Sequence, residues 1–403
     1  MKHYDIIIIG GGAAGFFAAI NTAEKFPNLK IVILERGKDV LGKVKISGGG
    51  RCNVTHAEFT PKELTYNYPR GEKELLGPFH TFMTGDTMEW FDNRGVELKI
   101  EDDGRIFPVS NNSKTIIDCF LNETKKHNIE ILTNQGVKDI IYSNDKWEIT
   151  TGSDIFTSNK LLVATGSSPK MWEILKKLNH TITNPVPSLF TFNCKDNRIS
   201  DIPGVVAQNV NVKVLNTSLE SEGPLLITHW GFSAPSILKT SAFGALELAK
   251  LDYKFTIEIN FLSLDLETVL NDLKDLKLEE ARKTVYKFAQ FELPKRLWHK
   301  LVLEANIKED TKWADLNKQQ LEALAKQLCQ AQFKIDGKST FKDEFVTAGG
   351  INLKEIDFKT YKSKQHQDLY FAGEVLNIDA VTGGFNFQNA WTSGYIVAQN
   401  IGL

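Results

Sequence analysis

The sequence predicts an α/β fold: a three-layer unit around a parallel central sheet, built from both chain ends, with a β-rich, barrel-like insert that holds a small helical one. Three observations carry that prediction. "YDIIIIGGGAAGFFAAI" at 4–20 runs from a β-branched strand through a glycine turn into a helical pattern. "LKIVILERG" follows as a second strand. "LLVATG" and "DLYFAGE" supply further strands on either side of a central stretch of different texture.

The opening run from Ile6 to Ile20 is uncharged and mostly apolar, but a membrane span needs about twenty such residues. Asp5 precedes the run, Glu24 and Lys25 continue its helical pattern, and no small-residue cleavage site follows, so an export signal is excluded as well. What remains is a strand, a turn and a helix, with Gly10, Gly12 and Gly15 spaced as G-x-G-x-x-G. The first glycine permits the tight turn, the second lets a pyrophosphate approach the backbone, and the third lets the helix pack on the strand. Phosphate charge then meets the helix N-terminus. An acid at the end of the second strand completes the dinucleotide pattern, and Glu35 stands there, placed for a ribose diol. Gly10, Gly12, Ala13, Ala14 and Gly15 form the pyrophosphate station.

Helical patterns at 82–94 and 113–127 alternate with strand-like runs at 129–132, 136–142, 146–151 and 160–165. From Pro187 to Asn260 come short strands broken by Pro and Gly, such as "SLFTFNC" and "NVNVKVL", with one helical stretch at 235–250. From Asp265 to Gln330 the chain is rich in Leu, Lys and Glu at helical spacing; strand character returns at "QFKID" and "DEFVTAGG". The end is α/β again, with a 17-residue helical pattern after a glycine pair. These readings divide the chain into a nucleotide unit (1–187 and 351–403), a β-rich insert (188–262 and 331–350) and a helical insert (263–330). There is no internal repeat and no low-complexity tract.

The 403 residues exceed what one core usually organises. With 48 basic and 50 acidic residues, the formal charge is −2, and nothing in that balance points to a nucleic-acid or membrane partner. Cys52, Cys119, Cys194 and Cys329 lie far apart, with no C-x-x-C pair. They imply a reducing cytoplasm, no metal site and no redox disulfide. The oligomeric state is left open, a monomer included.

"GKVKISGGGRCNVTH", "EDDGRIFPVSNNS", "LLVATG", "THWGFSAPSIL", "TAGGI" and "YFAGEVLNIDAVTGGFNFQNAWTSGY" occur in an order that resembles the BaiN-like family of FAD-dependent oxidoreductases, a branch of the glutathione-reductase-type flavoproteins. The resemblance covers nearly the whole chain. It implies a non-covalent FAD, with Lys43, Ser47, Gly48, Gly49, Arg51, Cys52 and Asn53 lining the flavin and ribityl chain. Three consecutive glycines cost backbone entropy on folding, which fits a segment that something must approach closely. The resemblance also assigns Arg36, Val137 (backbone to adenine), Ala164, Thr165 and Gly166 to the nucleotide. At the flavin end it assigns Gly373, Glu374, Asp379, Gly383, Gly384, Phe385 and Asn386. The amides of Gly384 and Phe385, aided by Lys43 or Arg51, are expected beside the flavin pyrimidine edge. Asn377 departs from the family, which carries Asp there.

The expected activity is hydride transfer between NADH or NADPH, as a transient co-substrate, and a small organic acceptor; the resemblance suggests unsaturated steroid-like or enone compounds. No second complete nucleotide fingerprint appears, so no dedicated NAD(P) domain is expected. His229 is the candidate proton donor, against a plain loop histidine as the alternative reading. Two other classes stand beside this one: a folate- or tRNA-linked flavoprotein, and a flavin-binding protein without turnover.

Overall fold

A computed structural model describes residues 2–339 and 346–403. The chain divides into two compact units, Met1–Val186 with Val346–Leu403, and Pro187–Phe345.

The first unit is built on a nine-stranded mixed sheet. Its parallel centre runs, in spatial order, Leu369–Phe371, Ile155–Val163, Lys2–Ile9, Ile31–Leu34 and Glu130–Leu132. Ile6 to Ile9 and Ile31 to Leu34 are all buried, as continuous apolar strands in a covered parallel sheet should be. Antiparallel strands extend both the Leu369–Phe371 edge and the Ile155–Val163 strand, so the sheet is not purely parallel. The helix Ala13–Lys25 packs on the last helix, Phe385–Asn400. Gly394 permits that approach, because a Cβ there would stand 3.0 Å from the Ala14 carbonyl oxygen. The expected helices fall at Thr84–Asp92 and Ser113–Lys126. The strand expected from 136 begins at Asp139, which leaves Val137 in the preceding loop.

The second unit holds a closed barrel of six antiparallel strands: Thr191–Cys194, Val206–Val214, Glu220–Ile227, Gly231–Ser233, Lys254–Asn260 and Ala331–Ser339. The helical stretch is not a separate body. Its buried Trp298, Leu301, Trp313 and Leu324 join one core with the barrel's Val212, Ile257 and Phe333. The helix expected at 235–250 is two, Pro235–Phe243 and Ala245–Lys250, parted at Gly244. Of "DEFVTAGG", residues 343–345 lie outside the described residues, and the rest forms the strand Thr347–Ile351.

Candidate flavin nucleotide site

The three fingerprint glycines divide by what surrounds them. A Cβ on Gly10, whose φ is +117°, would sit 2.4 Å from the Ala164 carbonyl oxygen. One on Gly15 would sit 2.1 Å from the Gly10 oxygen. Gly12 faces nothing within 4 Å on that side. Two glycines are therefore demanded by packing, and the third keeps an approach open. Gly12 caps the helix Ala13–Lys25 without any side-chain cap, so the first-turn amides of Ala13 and Ala14 point outward with no partner among the described residues.

Glu35 reaches this turn. Its Oε2 accepts the Gly11 amide and its Oε1 accepts the Gly37 amide, both at 2.8 Å. A carboxylate has about four lone-pair sites, so holding the two loops still leaves acceptor capacity for a diol. Arg36 is exposed. Val137 is buried, and neither its N–H nor its C=O has a partner among the described residues.

The helix Gly42–Gly50 breaks at Ser47, after which Gly48, Gly49, Gly50 and, past Arg51, Cys52 take φ of +56°, +68°, +84° and +63°. Such a run of left-handed backbone explains the glycine triplet locally. Gly48 is also pressed by Phe107, whose ring would lie 2.8 Å from a Cβ at that position, whereas Gly42, Gly49 and Gly50 face open space. Lys43 Nζ donates to Glu374 Oε2 at 2.6 Å, and Ser167 Oγ donates to the same oxygen at 3.4 Å. Gly373, with φ of +71°, is packed so that a Cβ on it would stand 3.2 Å from Ala14 Cβ, and Gly166 lies beside the Glu374 carboxylate. Ala14, Lys43, Gly166, Ser167, Gly373 and Glu374 thus converge, with Ala164 and Thr165 at the end of the adjoining strand.

Three expected lining residues are otherwise engaged. Arg51 donates to Glu101 at 2.7 Å and lies over the Phe107 ring at 3.8 Å, so its charge is already matched. The Cys52 side chain is in the core, and burial pushes its thiol up to about 12 against a weaker opposing hydrogen bond with Ser47. It is therefore held as the thiol, with its side chain packed among core residues. Asp379 is fully buried and grips Arg70 through both oxygens, across a bridge that joins residues 70 and 379. Asn53, by contrast, is 8% exposed and its Oδ1 has no partner among the described residues. That oxygen faces Gly384, 2.9 Å from where a Cβ would stand.

Gly383 and Gly384 have φ of +131° and +95°, and a Cβ on Gly384 would collide with the Thr55 oxygen at 2.6 Å. The helix Phe385–Asn400 then starts with no side-chain cap. His56 fixes its entry: the ring stacks on Phe385 at 4.6 Å, and Nδ1 donates to the Gly383 oxygen at 3.1 Å. Asn386 clips back onto the Ala380 N–H and C=O. Gln388, in the same motif but given no role by it, accepts from Thr55 and Thr87 and donates to Thr392 in a buried network.

His229 is an exposed residue of the second unit, on the turn between Glu220–Ile227 and Gly231–Ser233, with its ring 6.1 Å from Trp230. Glu24, Glu123 and His127 gather their ligand atoms within 4.8 Å, but the Arg94 guanidinium already pairs with both acids. No helix among the described residues is long and apolar enough to cross a membrane.

The open backbone at Gly12, Gly42, Gly49 and Gly50, the uncapped helix starts and the orphaned Asn53 oxygen fit a dinucleotide such as FAD. A ribosomal RNA dihydrouridine synthase of Haemophilus influenzae is 28% identical over 99% of both chains. A 3-dehydro-bile acid delta(4,6)-reductase of Clostridium scindens is 25% identical over 97% of both. The fold alone is shared with 3-ketosteroid delta1-dehydrogenase from Sterolibacterium denitrificans, at 9% identity and a TM-score of 0.52 over 100% of this chain and 99% of that one. The family model of the HI0933-like protein Rossmann domain matches residues 4–400, and the chain therefore belongs to the HI0933-like family of FAD-binding, oxidoreductase-type flavoproteins.

Proposed function

We propose that this chain is an FAD-dependent reductase that takes hydride from NADH or NADPH and delivers it to a carbon–carbon double bond conjugated to a carbonyl. The observation that carries the reading is the split among the fingerprint glycines, with Gly10 and Gly15 packed and Gly12 open to a pyrophosphate. The activities for which the two relatives are named support the acceptor class. Making dihydrouridine saturates a double bond conjugated to a ring carbonyl, and a delta(4,6)-reductase acting on a 3-dehydro steroid does the same.

FAD, when bound, supplies the two-electron carrier. The chain's residues do the rest: the Ala13 and Ala14 amides take the pyrophosphate, Glu35 the ribose, and Asn53 Oδ1 a donor at the flavin end. The uncapped amides of Phe385 and Asn386 favour negative charge beside them. With Arg51 matched by Glu101 and Lys43 by Glu374, that task falls to the helix. His229 is kept as the proton donor.

The test is denaturation of purified protein, identification of the released cofactor, then anaerobic reduction with NADH and NADPH and reoxidation by cyclohexenone, a 3-keto-Δ4-steroid or a uridine-containing RNA. FAD in the supernatant and reoxidation by at least one acceptor are expected. FMN, or colour that stays with the pellet, overturns the cofactor assignment; reduction without reoxidation by any acceptor favours a flavin-binding protein without turnover.

A further inference from the structure

The near-neutral total hides an uneven distribution of charge. Residues 281–300 hold six basic side chains against Glu292 alone, a local charge of +5 that leaves −7 for the rest of the chain. Contacts within the second unit bring the two parts of this segment together. Its first part lies on the helix Lys295–Glu304: Trp298 Nε1 donates to the Val285 oxygen at 2.8 Å, and Tyr286 stacks on His299 at 3.8 Å.

Two of the six cations are neutralised, Lys283 by Glu280 and Lys300 by Asp201. Arg296 donates to the carbonyls of Asp201 and Pro203 and shares the Asp201 carboxylate with Lys300, so one acid serves two cations. Arg282, Lys287 and Lys295 are exposed and have no acidic partner among the described residues. Lys295 and Arg296 also open their helix, where the macrodipole disfavours cations, so helix stability does not account for them. Among these charges stands Phe288, a 48% exposed ring. Cations that follow a phosphate backbone, interleaved with exposed rings on which bases stack, are the physical requirements of single-stranded nucleic-acid binding.

We propose that the surface formed by Arg282, Lys287, Phe288, Lys295 and Arg296 holds RNA by its phosphates and one unstacked base. This rests on the reading above only in that the reducible group would then be a base carried in RNA. Net charge, from which no nucleic-acid partner is expected, averages this surface away.

The test is fluorescence anisotropy of a fluorescein-labelled RNA hairpin with uridines in its loop, titrated with the flavin-loaded protein over a series of salt concentrations. Lys287→Gln with Lys295→Gln should weaken binding at least about tenfold and reduce the salt slope by about two, since each lost phosphate contact removes about one. Phe288→Ala should weaken binding about tenfold with the slope unchanged. Parent and variants with equal affinity and slope overturn the proposal, as does a parent that binds phosphatidylglycerol vesicles and not the hairpin. NAD(P)H oxidation with cyclohexenone, measured on the same preparations, separates the two readings: the surface can fail with that activity intact, and the activity can fail with RNA binding intact.

Discussion

Arg70 and Asp379, 309 residues apart, face each other as a two-toothed ion pair inside the first unit, with the carboxylate fully buried. Removing one member of such a buried pair costs about 3–5 kcal/mol. Arg70→Ala should lower stability by that amount in urea unfolding, with the FAD bound per folded chain unchanged. An unaltered urea midpoint would show the pair to be dispensable.

Gly12→Ala and Gly15→Ala should fail differently. A methyl group on Gly12 enters open space at an allowed φ of −100°, so the variant should fold as the parent does yet purify without flavin. One on Gly15 meets the Gly10 oxygen at 2.1 Å and should lower the melting temperature. Parent-like flavin content in Gly12→Ala removes the pyrophosphate assignment.

Glu35→Ala leaves the Gly11 and Gly37 amides without their acceptor and removes the diol partner. Titration of stripped protein with FAD should show affinity weaker by roughly 1–3 kcal/mol, the scale of an unpaired buried polar group.

All four cysteines are buried and free, and burial pushes each thiol up to about 12. Ellman's reagent at pH 8 should find essentially no thiol in native protein and four after denaturation. Cys52→Ala should be reduced by NAD(P)H at the parent rate; a large fall would return Cys52 to the chemistry.

His180 lies buried between Glu355, 2.7 Å from its Nδ1, and Ser363, 3.3 Å from its Nε2. Desolvation holds its pKa below the ordinary 6.5, against the opposing pull of Glu355. The folded state thus binds this proton less readily than the unfolded chain does. The stabilising contribution is present above pH 6.5 and is lost as pH falls below it. Urea unfolding at pH 8 and pH 5 should show a larger acid loss in the parent than in His180→Gln. Equal losses would remove His180 from the pH response.

What is legible in the sequence is local. Strand, turn and helix at 4–25 follow from side-chain branching and glycine spacing within one short window, and the acid at Glu35 from the end of the next strand. Partners distant in sequence are not legible. Nothing near Asp379 announces Arg70, and the motif that holds Gln388 does not announce the three threonines that converge on it. Cys52 sits amid glycines in the sequence, yet its left-handed backbone turns the thiol into the core. Arg51 reads as free because Glu101 and Phe107 come from another hairpin.

Because the strand Leu369–Phe371 pairs with Ile155–Val163, and the helix Phe385–Asn400 packs on Ala13–Lys25, the nucleotide unit closes only when its last segment has been synthesised. At about 5–20 residues per second, the ribosome leaves the first helix waiting roughly 20–70 s for that neighbour. The second unit, contiguous from 187 to 345, is complete only 24 residues before the strand Leu369–Phe371 begins, a lead of roughly 1–5 s. A nascent chain stalled short of residue 369 would leave the apolar strand Ile155–Val163 without its Leu369–Phe371 neighbour.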